Sequence, residues 1–315
     1  MCRILAYLGP ELPLENLLLK PANSLINQSR APEHHPLMQL AGWGFATWSE
    51  SFLRPETPLR YRRAVPAFFD DNTSTLIPSL QGHTVLAHIR ASTYQSEAVI
   101  ADENCHPFLY EGTNWSMVHN GSLPNWRILQ RELLTHCKDE FVGKMCGTTD
   151  TEFLYTLFLS LLEDDDGDGF QDALERMLKL IIRSMKDLGI VTHSKLKLAF
   201  ASENRVVAVN YGSGFHGETN IDGELEELRM AKVGSEDFLL STILEPLYVL
   251  RGRDFDKHED YQVDTCHEHQ TTAAVLASEP LTEDKEDWLE LDFGEMILLE
   301  REGEFLKTEV RRLSL

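Results

Sequence analysis

Cys2 is the first residue able to do covalent chemistry. Methionine aminopeptidases remove Met1 when the next side chain is small. Cys2 would then carry a free α-amine and a thiol on one backbone unit, a base within reach of a nucleophile. Four later stretches suit that pair: "HIRAST" with Arg90 and Thr93, "NCHPF" with His106, "HNGSL" with Asn120 and Gly121, and "GTTDTE" with Asp150. A guanidinium makes two parallel hydrogen bonds to a carboxylate. An aspartate at a helix start suits an ammonium group. An Asn-Gly pair offers a side-chain amide and a backbone N–H to a developing oxyanion. A thiol, an oxyanion site and receptors for both charges of an amino acid together suit acyl transfer from an amino-acid-like substrate.

Each residue also has a plain structural reading. Cys2 alone is a small buried side chain. Arg90 alone is a surface ion-pair partner, and Asn120–Gly121 alone is a turn. Asp150 alone is a helix cap, and His106 before Pro107 braces a loop. The "SEPL" stretch, Ser278–Leu281, reads as a strand end with no chemistry.

The elements that must position these residues follow from hydrophobic patterning. "CRILAYLG", "GWGFATWSES" and "HTVLAHIRAST" read as strands. "TNWSMVHNGSL" reads as a strand ending in a turn at Asn-Gly. "PLENLLLKPANSLINQS" predicts a short helix broken at Pro21, then a loop. "TDTEFLYTLFLSLLED" predicts a helix capped by Thr149 or Asp150, with Glu152 in its first turn. "QDALERMLKLIIRSMKDLG" predicts a second helix ended by Gly189. Strands return in "KLKLAFASE", "RVVAVNYG", "FLLST", "AAVLASEPL" and "EMILLERE". The order suits one α+β domain over residues 2–315, with surface insertions near 163–172 and 251–270.

The 315 residues include 29 basic and 51 acidic side chains, a net charge of −22. Such a chain repels phosphate backbones, so nucleic acid is not an expected partner. No apolar run is long enough to span a bilayer, and Pro10, Glu11 and Pro13 break the first apolar stretch. The expectation is a cytoplasmic protein with no membrane partner. Five irregularly spaced cysteines argue against a disulfide framework, and the absence of a Cys-x-x-Cys pair argues against structural zinc. No cofactor or metal is expected.

The ordered set headed by Cys2 resembles the class II glutamine amidotransferase domain of the N-terminal-nucleophile hydrolases. That family starts at a processed cysteine and carries an H-x-R-x-x-T stretch, an H-P segment, an H-N-G turn and a T-D-[ST]-E helix start. All recur here in the same order across roughly residues 2–155. "KPANSLINQS" and "LASEPLTED...W" resemble the stand-alone subgroup that includes the γ-glutamyl amidohydrolase of ergothioneine biosynthesis. The resemblance implies a four-layer αββα sandwich with Cys2 at the end of a central strand. It also implies hydrolysis of a γ-glutamyl amide through a Cys2 thioester, with Asn120 and Gly121 at the oxyanion. Arg90 and Asp150 would hold the glutamyl head, with Thr93 and His106 lining the pocket. The common glutamine-dependent synthases carry an aromatic residue after the arginine. Here it is Ala91, so part of the glutamine pocket wall is absent.

The expected small-molecule partner is therefore a γ-glutamyl substrate, such as γ-glutamyl hercynylcysteine sulfoxide. No synthase domain is recognised after the amidotransferase-like part. A glutaminase subunit serving a partner protein is the enzyme alternative, and a homo-oligomer is the other assembly considered. A calcium-binding or regulatory protein on a degenerate enzyme fold is the alternative of another class. Asp164, Asp166, Asp168, Gly169 and Glu175 satisfy the EF-hand spacing. Against it, Gln171 stands where an aliphatic residue is usual, and no second hand is present. His258, Cys266, His267 and His269 are too irregularly spaced for a metal reading.

Overall fold

The computed structural model describes residues 2–31, 38–91, 99–213, 245–253 and 271–315. Among the described residues, twelve strands alternate with helices: β1 (Arg3–Pro13), β2 (Trp43–Trp48), β3 (Leu59–Arg63), β4 (Gln81–Ile89), β5 (Ser116–Ser122), β6 (Ser194–Ala201), β7 (Arg205–Ser213), β8 (Leu247–Gly252), β9 (Ala273–Ala277), β10 (Leu289–Leu291), β11 (Glu295–Glu302) and β12 (Phe305–Arg312). The helices are α1 (Glu15–Leu18), α2 (Leu25–Arg30), α3 (Thr73–Leu76), α4 (Trp126–Leu133), α5 (Asp139–Val142), α6 (Asp150–Leu161) and α7 (Gly167–Asp187).

The strands form two antiparallel sheets, ordered β10-β8-β9-β1-β4-β2-β3 and β12-β11-β7-β6-β5. Period-two alternation gives each sheet two apolar faces. Leu5 and Tyr7 of β1 pack toward Leu17, Leu18 and Leu25 of α1 and α2. Met117 of β5, with Leu196 and Leu198 of β6, packs toward Phe153 and Leu157 of α6 and Leu174 and Leu178 of α7. The opposite faces, with Ile4, Ala6 and Leu8 from β1 and Val118, Ala199 and Ala208 from the other sheet, meet each other. The result is the four-layer αββα sandwich, with β1 central in its sheet.

Several local readings change. The segment after Pro21 is helical, because Ser24 accepts the backbone N–H of Asn27 and caps α2. Asn120–Gly121 is not a turn. Strand β5 runs through it to Ser122, pairing Asn120 with Lys197 and Gly121 with Leu196. Glycine is required by close approach there: a Cβ on Gly121 would overlap the Lys195 carbonyl and sit 2.6 Å from His119 Nε2. Strands β3, β8, β10 and β12 and helix α4 add to the elements read from sequence. "FLLST" and most of the second insertion, including His258, Cys266, His267 and His269, lie outside the described residues.

The acidic stretch is largely the start of α7 rather than a loop. Asp166 caps it by accepting the Gly169 N–H at 2.7 Å. Asp168 pairs with Arg311 at 2.7 Å. Glu175, two turns further on, accepts from Gln171 and from the Ser314 backbone. The EF-hand positions thus straddle the start of a helix, and the carboxylates of Asp166, Asp168 and Glu175 are turned to separate partners.

Candidate active site

Alternation along five strands aims one set of side chains into the slot between the sheets. Cys2 continues the face of Ile4 and Ala6, and Arg90 continues that of Leu86 and His88. Asn120 follows Val118, Lys195 and Lys197 precede Ala199, and Ser278 follows Leu276. The site lies where these strand ends meet.

Cys2 Sγ receives the Ala91 backbone N–H at 3.3 Å and lies 3.8 Å from the Ala91 carbonyl. The next residue back, Arg90, is anchored by its own backbone: its N–H donates to Gly42 O at 2.8 Å, and its carbonyl accepts from Ala41 N. Its guanidinium donates one bond to Val99 O at 3.2 Å. Asn104 Nδ2 donates to the same carbonyl and holds it in place. The remaining guanidinium N–H groups are those available for a planar anion.

Asn120 is buried, with Nδ2 3.4 Å from Ser278 Oγ. Its Oδ1 is buried and, among the described residues, has no hydrogen-bond partner. Ser278 Oγ in turn accepts the Ile4 N–H at 2.9 Å, so Asn120 is tied to the strand that begins after Cys2.

Thr149 is the cap of α6, its side chain accepting from Glu152 N. Asp150 occupies the first helical position. Its Oδ2 accepts from Leu123 N and its Oδ1 from Thr151 N, both at 2.8 Å. The carboxylate therefore pins the segment that leaves Gly121, while keeping lone pairs for another donor.

His106 is buried behind this layer. Its ring lies 4.0 Å from that of His88 and 5.0 Å from that of Phe108, between centroids. Its Nδ1 accepts the His119 backbone N–H at 3.3 Å. His119 Nε2 donates to Lys195 O at 2.9 Å, and its Nδ1 accepts from the Thr151 hydroxyl. His88 Nε2 donates to His119 O at 3.1 Å. Burial holds all three rings neutral. It lowers His88 to about 3 and pushes His106 well below the ordinary histidine range. His119 is also lowered by burial, with the Asp150 carboxylate opposing. These hydrogen bonds fit one neutral tautomer each. The histidines lock β4, the His106 segment, β5 and β6 together behind Asn120.

Two buried charged groups near the site have no counterpart among the residues that the sequence pattern singles out. Arg3, buried beside Cys2, pairs with buried Glu279 and donates to Cys2 O at 3.1 Å. Lys195 and Lys197 are buried as well, and both ammonium nitrogens lie 3.9 Å from Glu245. Burial lowers Lys195 to about 8, with Arg3 adding to the shift and Glu245 opposing it. Burial and then the neighbouring Lys195 push Lys197 further down. The signal was in "KLKLAFA": its lysines share the parity of Ala199 and Ala201, not that of the helix-facing leucines. Ser278 reads from sequence as a strand end with no chemistry, because a strand-end serine carries no pattern of its own.

Cys2 Sγ thus sits on the residue after Arg90, and Asn120 is tied through Ser278 to the strand after Cys2, while Asp150 pins the segment leaving Gly121 and His106 supports the strand that carries Asn120. Thr93 lies outside the described residues. Among the described residues, no cluster of three or more metal-ligating side chains occurs. No helix among them is long and apolar enough to cross a membrane.

The family model "Glutamine amidotransferases class-II" matches residues 24–222. The chain belongs to this family, and its fold and family make it an N-terminal cysteine amidohydrolase of the N-terminal-nucleophile type. It is similar to "Probable glutamine amidotransferase DUG3" of Saccharomyces cerevisiae, at 32% identity over 284 residues, covering 80% of this chain and 78% of the yeast protein. It is also similar to the "Gamma-glutamyl-hercynylcysteine sulfoxide hydrolase" of Mycobacterium tuberculosis, at 32% identity over 123 residues. That match covers 38% of this chain and 49% of the mycobacterial protein, about half its length. Among solved structures, a glutamine aminotransferase class-II domain protein from Silicibacter pomeroyi aligns over the whole of both chains. Its TM-score is 0.59 at 20% identity, a likeness of fold alone.

Proposed function

We propose that the protein hydrolyses a γ-glutamyl amide through a Cys2 thioester, and that the substrate is a γ-glutamyl thiol compound such as γ-glutamyl hercynylcysteine sulfoxide. The observation that carries this reading is the seating of Cys2 Sγ on the backbone of Ala91, directly after Arg90. A glutamyl α-carboxylate on Arg90 and an α-ammonium on Asp150 would present the γ-carbonyl to Sγ. Sγ attacks that carbon while the Cys2 α-amine takes the thiol proton, then returns it to the leaving amine. Asn120 Nδ2 and the Gly121 N–H stabilise the tetrahedral oxyanion. Water then cleaves the thioester and releases glutamate. The small side chain of Ala91 leaves room for a leaving group larger than ammonia, and the names of two relatives fit γ-glutamyl and amidotransferase chemistry.

The similarity to a yeast protein named as an amidotransferase favours a second reading, a glutaminase subunit delivering ammonia to a separate synthase. Glutamate release from glutamine, glutathione and γ-glutamyl hercynylcysteine sulfoxide, compared at equal enzyme, separates the two. A preference for either bulky substrate supports the hydrolase. A wide preference for glutamine replaces it with the ammonia donor.

A further inference from the structure

Asn120 and Ser278 sit 158 residues apart on strands of different sheets, yet their side chains meet across the slot at 3.4 Å. Both are buried, at 3% and 8% exposure. Ser278 itself is fixed. Its N–H donates to Ile4 O at 3.0 Å and its Oγ accepts from Ile4 N at 2.9 Å, extending the register of β1 and β9 by one residue. With the Ile4 N–H already donating to it, Oγ has one hydrogen of its own to give.

The Asn120 amide has two ends of nearly equal shape. With Nδ2 toward Ser278, Oδ1 is left buried and, among the described residues, without a donor, an unfavourable state for an amide oxygen. A half-turn of the amide lets Oδ1 accept the Ser278 hydroxyl hydrogen and turns Nδ2 to the position Oδ1 held, where its N–H groups await an acceptor. This orientation leaves both amide N–H groups unspent, whereas the other gives one of them to Ser278.

We propose that Ser278 is a positioning residue for Asn120: its hydroxyl, fixed by Ile4, donates to Oδ1 and so aims Nδ2 at the developing oxyanion. The inference rests on the reading of Asn120 as an oxyanion donor. It adds a link from the strand after the nucleophile, through Ile4 and Ser278, to the group that stabilises the product of nucleophilic attack. One rigid contact then sets both the position of Cys2 and the direction of the donor.

The test is a double-mutant cycle on Asn120→Ala and Ser278→Ala, with Ser278→Thr as the conservative variant. The readouts are kcat and KM for glutamate release from glutathione, and the inactivation rate with the γ-ketone glutamine analogue 6-diazo-5-oxo-L-norleucine. The analogue presents its ketone in place of the amide carbonyl and alkylates the thiol at the adjacent carbon with loss of N2, so it reports the nucleophile and the oxyanion donors even if glutathione is turned over slowly. Ser278→Ala is expected to lower kcat and the maximal inactivation rate about tenfold or more, with KM changed less than twofold. Ser278→Thr should restore most of the loss. In the Asn120→Ala background, Ser278→Ala should cost nothing further. Equal costs of Ser278→Ala in both backgrounds, or an effect on KM alone, would overturn the proposal. If Ser278→Ala fails to fold, Ser278→Thr and Ser278→Cys carry the same test: threonine near wild type and cysteine slow supports it, and equal rates overturn it. A slow Asn120→Ala with a fast, folded Ser278→Ala removes the role of Ser278 and leaves the oxyanion reading intact. A fast Asn120→Ala removes both.

Discussion

The backbone N–H of Ala91 donates to Cys2 Sγ at 3.3 Å. This bond fixes the candidate nucleophile to the residue following Arg90. Any shift of the β4 end would therefore move the thiol and the carboxylate receptor together. The first three predictions follow from that coupling and from the strand ends around it.

The mechanism needs a free α-amine on Cys2, so Met1 should be absent from active protein. Intact-mass measurement checks this, and full activity with Met1 retained would refute the mechanism. Cys2→Ala should abolish turnover with an unchanged melting temperature. The γ-ketone analogue should label Cys2 alone. Cys105 is buried among backbone carbonyls, and burial pushes its thiol up to about 11, far from a reactive thiolate. Peptide mapping that places the label on Cys105 would move the nucleophile.

Asn120 and Gly121 should fail in different ways. Asn120→Ala removes one oxyanion donor and should lower kcat by about 10²–10³-fold while the protein stays folded. Gly121→Ala forces a methyl group into the Lys195 carbonyl and should disrupt the β5–β6 pairing itself. Thermal melts beside rate measurements distinguish them. A Gly121→Ala protein with wild-type stability would show that β5 can move away from β6 at this point.

Arg90→Lys should weaken all γ-glutamyl substrates alike, by roughly ten- to a hundredfold in kcat/KM, because an ammonium cannot reproduce a two-pronged contact. Ala91→Trp should instead discriminate. It should spare glutamine, whose leaving group is ammonia, and penalise glutathione. Values of kcat/KM for both substrates in both variants decide the matter. An equal loss for the two in Ala91→Trp would show that the leaving group does not pass Ala91.

The neutral histidines predict how stability depends on pH. Their folded-state affinities for protons are depressed, so below about pH 6.5 the unfolded chain binds protons that the folded chain does not. Stability is therefore full above that pH and falls as the pH drops. For His88 the loss continues toward pH 3, at about 1.4 kcal/mol per pH unit. His88→Gln keeps a donor for His119 O and should flatten the slope by about one proton between pH 6 and pH 5. Urea unfolding at pH 7, 6 and 5 tests it. Identical slopes in wild type and variant would show that His88 takes up its proton while the protein is folded.

The sequence by itself determined the parts whose chemistry is local. Cys2 beside the start, the Arg90, Asn120–Gly121 and Asp150 stretches, the α6 cap at Thr149 or Asp150 and the end of α7 near Gly189 are all readable, because residue type and short spacing set them. Helix α2 is not legible in the sequence, because its single capping serine follows a proline that reads as a stop. The Asn120–Gly121 pair reads as a turn for a related reason. Its turn propensity is local, whereas pairing with Lys197 and Leu196 is a contact with a strand some 75 residues later. Only the tertiary structure decided which way each strand faces at the slot. Parity placed Lys195 and Lys197 on a buried face, but the sequence contained no partner at short range to account for them. Glu245 supplies that partner, and Glu279 supplies it for Arg3. Ser278 acquires its place in the same way. A hydroxyl has no directional meaning until the register of β9 on β1 puts it on Ile4 and the stacking of the two sheets brings Asn120 across to it.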